Sequence, residues 1–181
     1  MSEEKILFKN KWVSLIEKTN PDSGDKYTIF KESDKVMVLP YFISNGKLYV
    51  IYLLEPINIW RNNKAELTCI SGTIEPNENH FDTAIRELAE ESGIVQEDKS
   101  KWEFLDSMFH SKSATSQRFL YLVDISDSDI VRKSTDGSWF EKNTKNVVSE
   151  ISTEMKKLSK DIYFHFMINY LETKQLSYEK K

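Results

Sequence analysis

A chain of 181 residues with 29 acidic and 25 basic side chains, net charge −4 and pI near 5.5, has the size of one globular domain. It carries no electrostatic bias toward nucleic acid or an anionic membrane, and no apolar run approaches the roughly 18 residues that would span a bilayer. The start, MSEEKILFKNK, lacks the apolar stretch of a signal peptide, and a single cysteine, Cys69, excludes an intramolecular disulfide and a multi-cysteine metal site, so a soluble, cytoplasmic protein is expected.

A hairpin is predicted first, Trp12 to Glu17 and Tyr27 to Lys31, around the breakers Asn20-Pro21-Asp22-Ser23-Gly24-Asp25. Val36 to Ile43 and Lys47 to Leu54 flank Asn45-Gly46; both residues tolerate positive φ, and the pair is the strongest short-range hairpin signal. A polar segment with Trp60 and Arg61 leads to a short strand, Glu66 to Ile70. After Gly72, Phe81, Ile85 and Leu88 recur at helical spacing, and Gly93 stands where the helix should stop. Trp102 to Phe109 and Arg118 to Ile125 read as strands around a polar loop, Ser111 to Gln117. Residues 126–143 read as irregular, and Thr153 to Lys174 as one or two helices with an aromatic-rich stripe. Strands on both sides of one central helix, with helix at the end, predict a mixed α/β layered domain.

The central helix carries the chemistry. At 100° per residue, Phe81, Ile85 and Leu88 form a narrow apolar face, and Glu87, Glu90 and Glu91 fall within about 100° of one another on a different face. Three carboxylates in one sector repel. Mg²⁺ and similar hard cations are held by a few carboxylates together with waters and substrate phosphates. A metal-capturing face therefore competes with an ordinary solvated one, braced by Arg86 and Glu90 at i, i+4. Spacing decides between them. Gly72 to Ile94 fits G-x5-E-x7-R-E-U-x-E-E-x-G-U, with U aliphatic, at every specified position (Gly72, Glu78, Arg86, Glu87, Leu88, Glu90, Glu91, Gly93, Ile94). Average residue frequencies make that a coincidence on the order of 10⁻⁷. The chain thus resembles the Nudix hydrolases.

The resemblance implies a Nudix-type α/β/α sandwich with a mixed sheet, preceded by an N-terminal β-hairpin. One domain would cover 1–181, with the hairpin extension at 1–35 and the Nudix box at 72–94. It implies Mg²⁺, with Mn²⁺ as the alternative, held by the Gly72 carbonyl, Glu87, Glu90 and Glu91. Arg86 would orient the glutamates, Glu78 would act near the metal or hold the loop, and Gly93 would end the helix. Glu90, Glu91 and Arg86 would serve catalysis, with a general base from a late loop: Glu141 first, then Asp136, then a box glutamate such as Glu90.

The layout is nearest to ADP-ribose and nucleotide-sugar pyrophosphatases. That group implies a homodimer formed through the hairpin and an aromatic residue stacked on the base, for which Trp12, Tyr27 and Phe30 are the candidates. Arg61 could grip a phosphate. The expected activity is hydrolysis of the pyrophosphate bond in a nucleoside diphosphate linked to another group, ADP-ribose or a related nucleotide sugar foremost. Alternatives are removal of an RNA 5′ cap or 5′ diphosphate, hydrolysis of a dinucleoside polyphosphate, and a sensing module that binds a nucleotide without cleaving it. No membrane partner is expected, and nucleic acid only as capped RNA.

Two departures bear on the substrate. Thr68-Cys-Ile-Ser-Gly72 replaces the Pro-containing lead into the box, and Ser113-Ala-Thr-Ser-Gln117 replaces the downstream acidic loop. His80 is expected to cap or be solvated, His110 to edge a loop near the site, His165 to be a satisfied histidine on an aromatic helix face, and Cys69 to be a small buried side chain.

Overall fold

Residues 4–56, 65–130 and 143–178 are described by the structure, a computed structural model. In chain order they form β1 (Glu4–Lys9), β2 (Val13–Thr19), β3 (Lys26–Glu32), β4 (Lys35–Ser44), β5 (Lys47–Glu55), β6 (Glu66–Thr68), β7 (Ile70–Thr73), α1 (His80–Ser92), β8 (Ile94–Val95), β9 (Trp102–Phe109), β10 (Gln117–Asp124), β11 (Asp129–Ile130), β12 (Lys145–Glu150), α2 (Thr153–Leu158) and α3 (Ile162–Tyr178).

Period-two alternation along β4, β5 and β10 makes a sandwich. Val36 and Val38, Ile51 and Leu53, and Tyr121 and Val123 join Ala84 and Leu88 of α1 in one buried cluster. Their neighbours Met37, Leu39, Val50, Tyr52, Leu120 and Leu122 pack with Met155, Phe164, Met167, Ile168 and Leu171 of α2 and α3 in another. Successive strand side chains point to opposite faces, so both faces must be covered by helices. The sheet is mixed, in the order β12-β5-β4-β10-β9, with β4 and β10 parallel. The expected α/β/α architecture is the observed one.

The β4–β5 hairpin turns at Asn45 and Gly46, both at positive φ (51° and 73°), and then splays apart. Its gap is filled by what reads in sequence as one strand and is two: β6 pairs with β5 and β7 pairs with β4, divided at the fully buried Cys69. Pro40 sits where β4 has left β7 and not yet joined β5, the place where a missing N–H does no harm in a central strand.

The predicted N-terminal hairpin is present as β2 and β3, and two strands go beyond the sequence reading. The first is β1, which pairs with the other edge of β2 to make a three-stranded sheet. The short run Ile6-Leu7-Phe8 hides β1 because a register shift there breaks the alternation. The edge strand β12 falls between the segment read as irregular and the C-terminal helices, and its pairing with β5, not its sequence, makes it a strand.

The N-terminal sheet is tied to the core through β3. Phe30 N–H donates to Ser113 O at 2.7 Å, Thr115 N–H donates to Phe30 O at 3.2 Å, and Gln117 N–H donates to the Asp34 carboxylate at 2.7 Å. Arg118, 5% exposed, donates to Glu32 and to Gln117 O. Removing one partner of a buried ion pair costs about 3–5 kcal/mol, because the other charge stays buried. Glu32→Ala should therefore lower Tm markedly and speed amide exchange across β2 and β3. A Tm within a degree of the parent would show that the sheet is held some other way.

Candidate active site

Helix α1 begins and ends on chemistry its sequence dictates. The Asn79 carboxamide accepts from the N–H groups of Phe81 (2.9 Å) and Asp82 (3.0 Å), and Gly93 closes the helix at φ 75° by donating to Ala89 O. Its buried line is rotated from the one periodicity predicts. Thr83, Ala84, Glu87 and Leu88 face the sheet, while Ile85 is half-buried and outside the core cluster. One of the three acids therefore lies on the packed face.

Glu87 fits there because its neighbour across the contact is Gly72. A Cβ built on Gly72 would fall inside the Glu87 carboxyl group, so the two elements approach only if that position has no side chain. Arg86 binds the acids together. Its Nε and Nη2 donate to the two oxygens of Glu78, both at 2.9 Å, as a fork. Its Nη1 donates to Glu87 at 2.6 Å and to Glu90 at 2.9 Å, and Nη2 reaches the Thr73 carbonyl at 3.3 Å. Glu91 accepts from the Ser71 N–H at 3.0 Å, so the fourth acid reaches back to β7.

These contacts push the carboxyls apart in acidity. The Arg86 fork holds Glu78 down to about 2. Burial pushes Glu87 up, against the pull of Arg86. Arg86 itself is raised, chiefly by Glu78. Glu78 thus favours the fold above the ordinary carboxylate range, a contribution lost as pH falls from about 4.5 toward 2. Glu87 has the opposite sign: its contribution is present below about 4.5 and lost as pH rises through its elevated value.

Among the described residues, no three His, Cys, Asp or Glu side chains converge as metal ligands. Arg86 Nη1 stands between Glu87 and Glu90. The donor set nevertheless suits a hard divalent cation, since it is all oxygen, carries more charge than one arginine neutralises, and lies against a glycine whose backbone no Cβ shields.

The other candidates are scattered. Trp12 is 70% exposed, with Lys11 Nζ 4.5 Å from its ring centroid, and it edges a cleft of about 780 Å³ between the N-terminal sheet and Ile74, Glu75 and Pro76 of the box loop. Tyr27 lies further along β3 and does not line that cleft, and Phe30 is engaged through its backbone. Trp60, Arg61, Asp136 and Glu141 lie outside the described residues. His110 meets Tyr163 on the α3 side, and His165 is satisfied by Ser159 O at 3.1 Å.

His80 is the residue that sequence reasoning misplaced. Asn79 does the capping, and the imidazole lies flat on Phe119, 4.4 Å between centroids, with Nδ1 2.5 Å from Tyr121 Oη. Burial raises that phenol to about 12. The aromatic spacing of β9 and β10 could have revealed this cluster, since Phe104, Phe119 and Tyr121 all surround the ring.

Comparison with known proteins agrees with this geometry. A family model described as the NUDIX domain matches residues 42–146, more than half of the chain. The chain belongs to the Nudix family, and its intact box makes it a Nudix pyrophosphohydrolase. No curated protein matches it by sequence. Among solved structures, the crystal structure of an ADP compounds hydrolase shares its fold, with a TM-score of 0.61 over 97% of this chain and 90% of that one at 17% identity.

If Glu87 is held in the fold against its own desolvation, Glu87→Gln should raise the Tm of chelator-treated protein at pH 7 by a few degrees, as about 1 kcal/mol does at this size. Glu78→Gln should lower it. A Glu87→Gln variant that melts earlier than the parent would contradict the burial cost assigned to this carboxylate.

Proposed function

We propose that the chain hydrolyses the pyrophosphate bond of a nucleoside diphosphate linked to another group, with Mg²⁺ or Mn²⁺, and that ADP-ribose or a related nucleotide sugar is the substrate. The observation that carries this reading is the acid cluster itself: Glu87 seated on Gly72, Glu90 beside it on Arg86, and Glu91 on Ser71. Gly72, through its carbonyl, and Glu87, Glu90 and Glu91 would hold the metal. When bound, such an ion offsets charge on the phosphates and lowers the pKa of a coordinated water.

Arg86 has two jobs in this reading. Its fork to Glu78 anchors the guanidinium, and its Nη1 group, which donates to Glu87 and Glu90, would hold these two carboxylates in place for a cation. Glu141 is the proposed general base. Asn146, a few residues on, donates to Ser92 O at 3.2 Å, so the chain returns to the end of α1 close to Glu91. Trp12, at the edge of the cleft with Lys11 Nζ 4.5 Å from its ring centroid, is the proposed stacking platform, and Tyr27 and Arg61 are further proposed substrate contacts.

The substrate class is supported by the N-terminal sheet and by the likeness of fold to an ADP compounds hydrolase. One Nudix domain over 1–181, a cytoplasmic setting and a homodimer through residues 1–35 belong to the same reading. Among the described residues no helix is long and apolar enough to cross a membrane.

A hydrolysis panel tests it: ADP-ribose, other nucleotide sugars, diadenosine polyphosphates, dNTPs and capped RNA, with products resolved by chromatography. The expected result is AMP from ADP-ribose, dependent on Mg²⁺ and reduced by at least about 10²-fold in Glu91→Gln. Turnover of capped RNA or polyphosphates alone would keep the catalytic helix and discard the substrate.

A further inference from the structure

We infer that the cleft beside the box loop contains a second phosphate site, built from Lys9, Ser14 and Lys31 on the N-terminal sheet, that takes a phosphate monoester carried on a nucleotide in addition to its diphosphate. The pairing register creates it. Lys9 stands directly opposite Ser14 on β2, and Ser14 directly opposite Lys31 on β3. Directly paired residues share a face, so the three form one row, with the outer two backbones about 10 Å apart at ordinary strand spacing. All three line the 780 Å³ cleft, as does Lys11 at the β1–β2 turn. Two ammonium groups flanking a hydroxyl supply the donors that a phosphate with three acceptor oxygens requires.

Three observations separate this row from scattered surface lysines. First, the cations have no close acidic partner: among the described residues neither Lys9 nor Lys31 forms an ion pair, and Lys31 meets Glu4 only through a longer-range attraction, whereas Lys18 and Lys26 on the same sheet are bound to Glu4 and Glu17. Second, the nearby acids are occupied. Glu32 is held by Arg118, and Asp34 accepts from Gln117 N–H, which leaves Glu75 on the opposite wall. Third, the row has an apolar companion. Ile6 and Ile16 pair with each other on the same face and also line the cleft, and Trp12 stands at its edge. A ring or sugar can lie on that surface while a phosphate meets the lysines. The turn presenting Trp12 and Lys11 is braced by the Asn10 carboxamide, which accepts from Trp12 N–H (2.7 Å) and Val13 N–H (2.8 Å).

ADP-ribose carries no such phosphate, so the row goes beyond the substrate named above: it would add affinity for nucleotides with a further phosphate distant from the bond being cleaved. Free phosphate shares the chemistry, and the test separates the two sources. Binding of adenosine 3′,5′-bisphosphate, 5′-AMP and inorganic phosphate is measured by calorimetry in chelator, so that the box acids contribute no metal and hydrolysis plays no part. The site thus stands or falls apart from the hydrolytic reading. The bisphosphate should bind at least tenfold tighter than AMP. That ratio should fall to near one in Lys9→Gln/Lys31→Gln and be kept when Lys160, an exposed lysine between α2 and α3, is changed to Gln, with the Tm of each variant confirming the fold. A ratio near one in the parent protein, or one unchanged in the double variant, would overturn the site. Inorganic phosphate binding as tightly as the bisphosphate would overturn its assignment to a nucleotide.

Discussion

The approach of α1 to β7 at Gly72 is the contact on which the rest depends. Because that position has no side chain, the helix packs closely enough to bury a glutamate where a core residue would ordinarily sit. Burying a carboxylate is costly, and the arrangement is tolerated because Arg86 is bonded to it while braced by Glu78 and Glu90. Glu87 is pushed toward protonation while Glu78 is pulled strongly the other way. Opposed acidities of neighbouring carboxyls, produced by burial and one shared guanidinium, mark this cluster as a candidate functional site.

The second organising feature is the seam between the N-terminal sheet and the core. β3 is joined to the 113–117 loop by backbone hydrogen bonds and to β10 by the buried Arg118–Glu32 pair. Asp34 closes it: its carbonyl accepts from Ile74 N–H at 3.0 Å, and its carboxylate accepts from Gln117 N–H. One residue thereby connects the sheet, the start of the box loop and the entry to β10. The cleft is bounded by these pieces, so its shape is set by hydrogen bonds to backbone and not by loop chance.

Much of this was legible in the residues. The box was readable because its spacing matches the family pattern at every position, and the Asn-Gly turn because only positive φ fits a two-residue hairpin. The covering of both sheet faces agrees with the near-continuous apolar runs of β4, β5 and β10. Less local facts were not readable. The rotation of α1 that buries Glu87 depends on Gly72, distant in sequence. β12 is a strand only because β5 offers an edge, and β6 and β7 are separate only because the β4–β5 hairpin splays. His80 read as polar until the sheet brought Phe104, Phe119 and Tyr121 around it. The lysine row needed the register of three strands, which no single segment encodes.

The central claim is that the acids gathered by Arg86 are a cation site in waiting. The most direct measurement is a Mn²⁺ titration followed by electron paramagnetic resonance, which counts free ion, on the parent protein and on a Glu87→Gln/Glu90→Gln variant. Saturable binding in the parent, lost in the variant and reversed by excess Mg²⁺, is the predicted result. A parent protein that leaves Mn²⁺ free at millimolar concentration, or a variant that binds it equally well, would show that the cluster serves the fold alone.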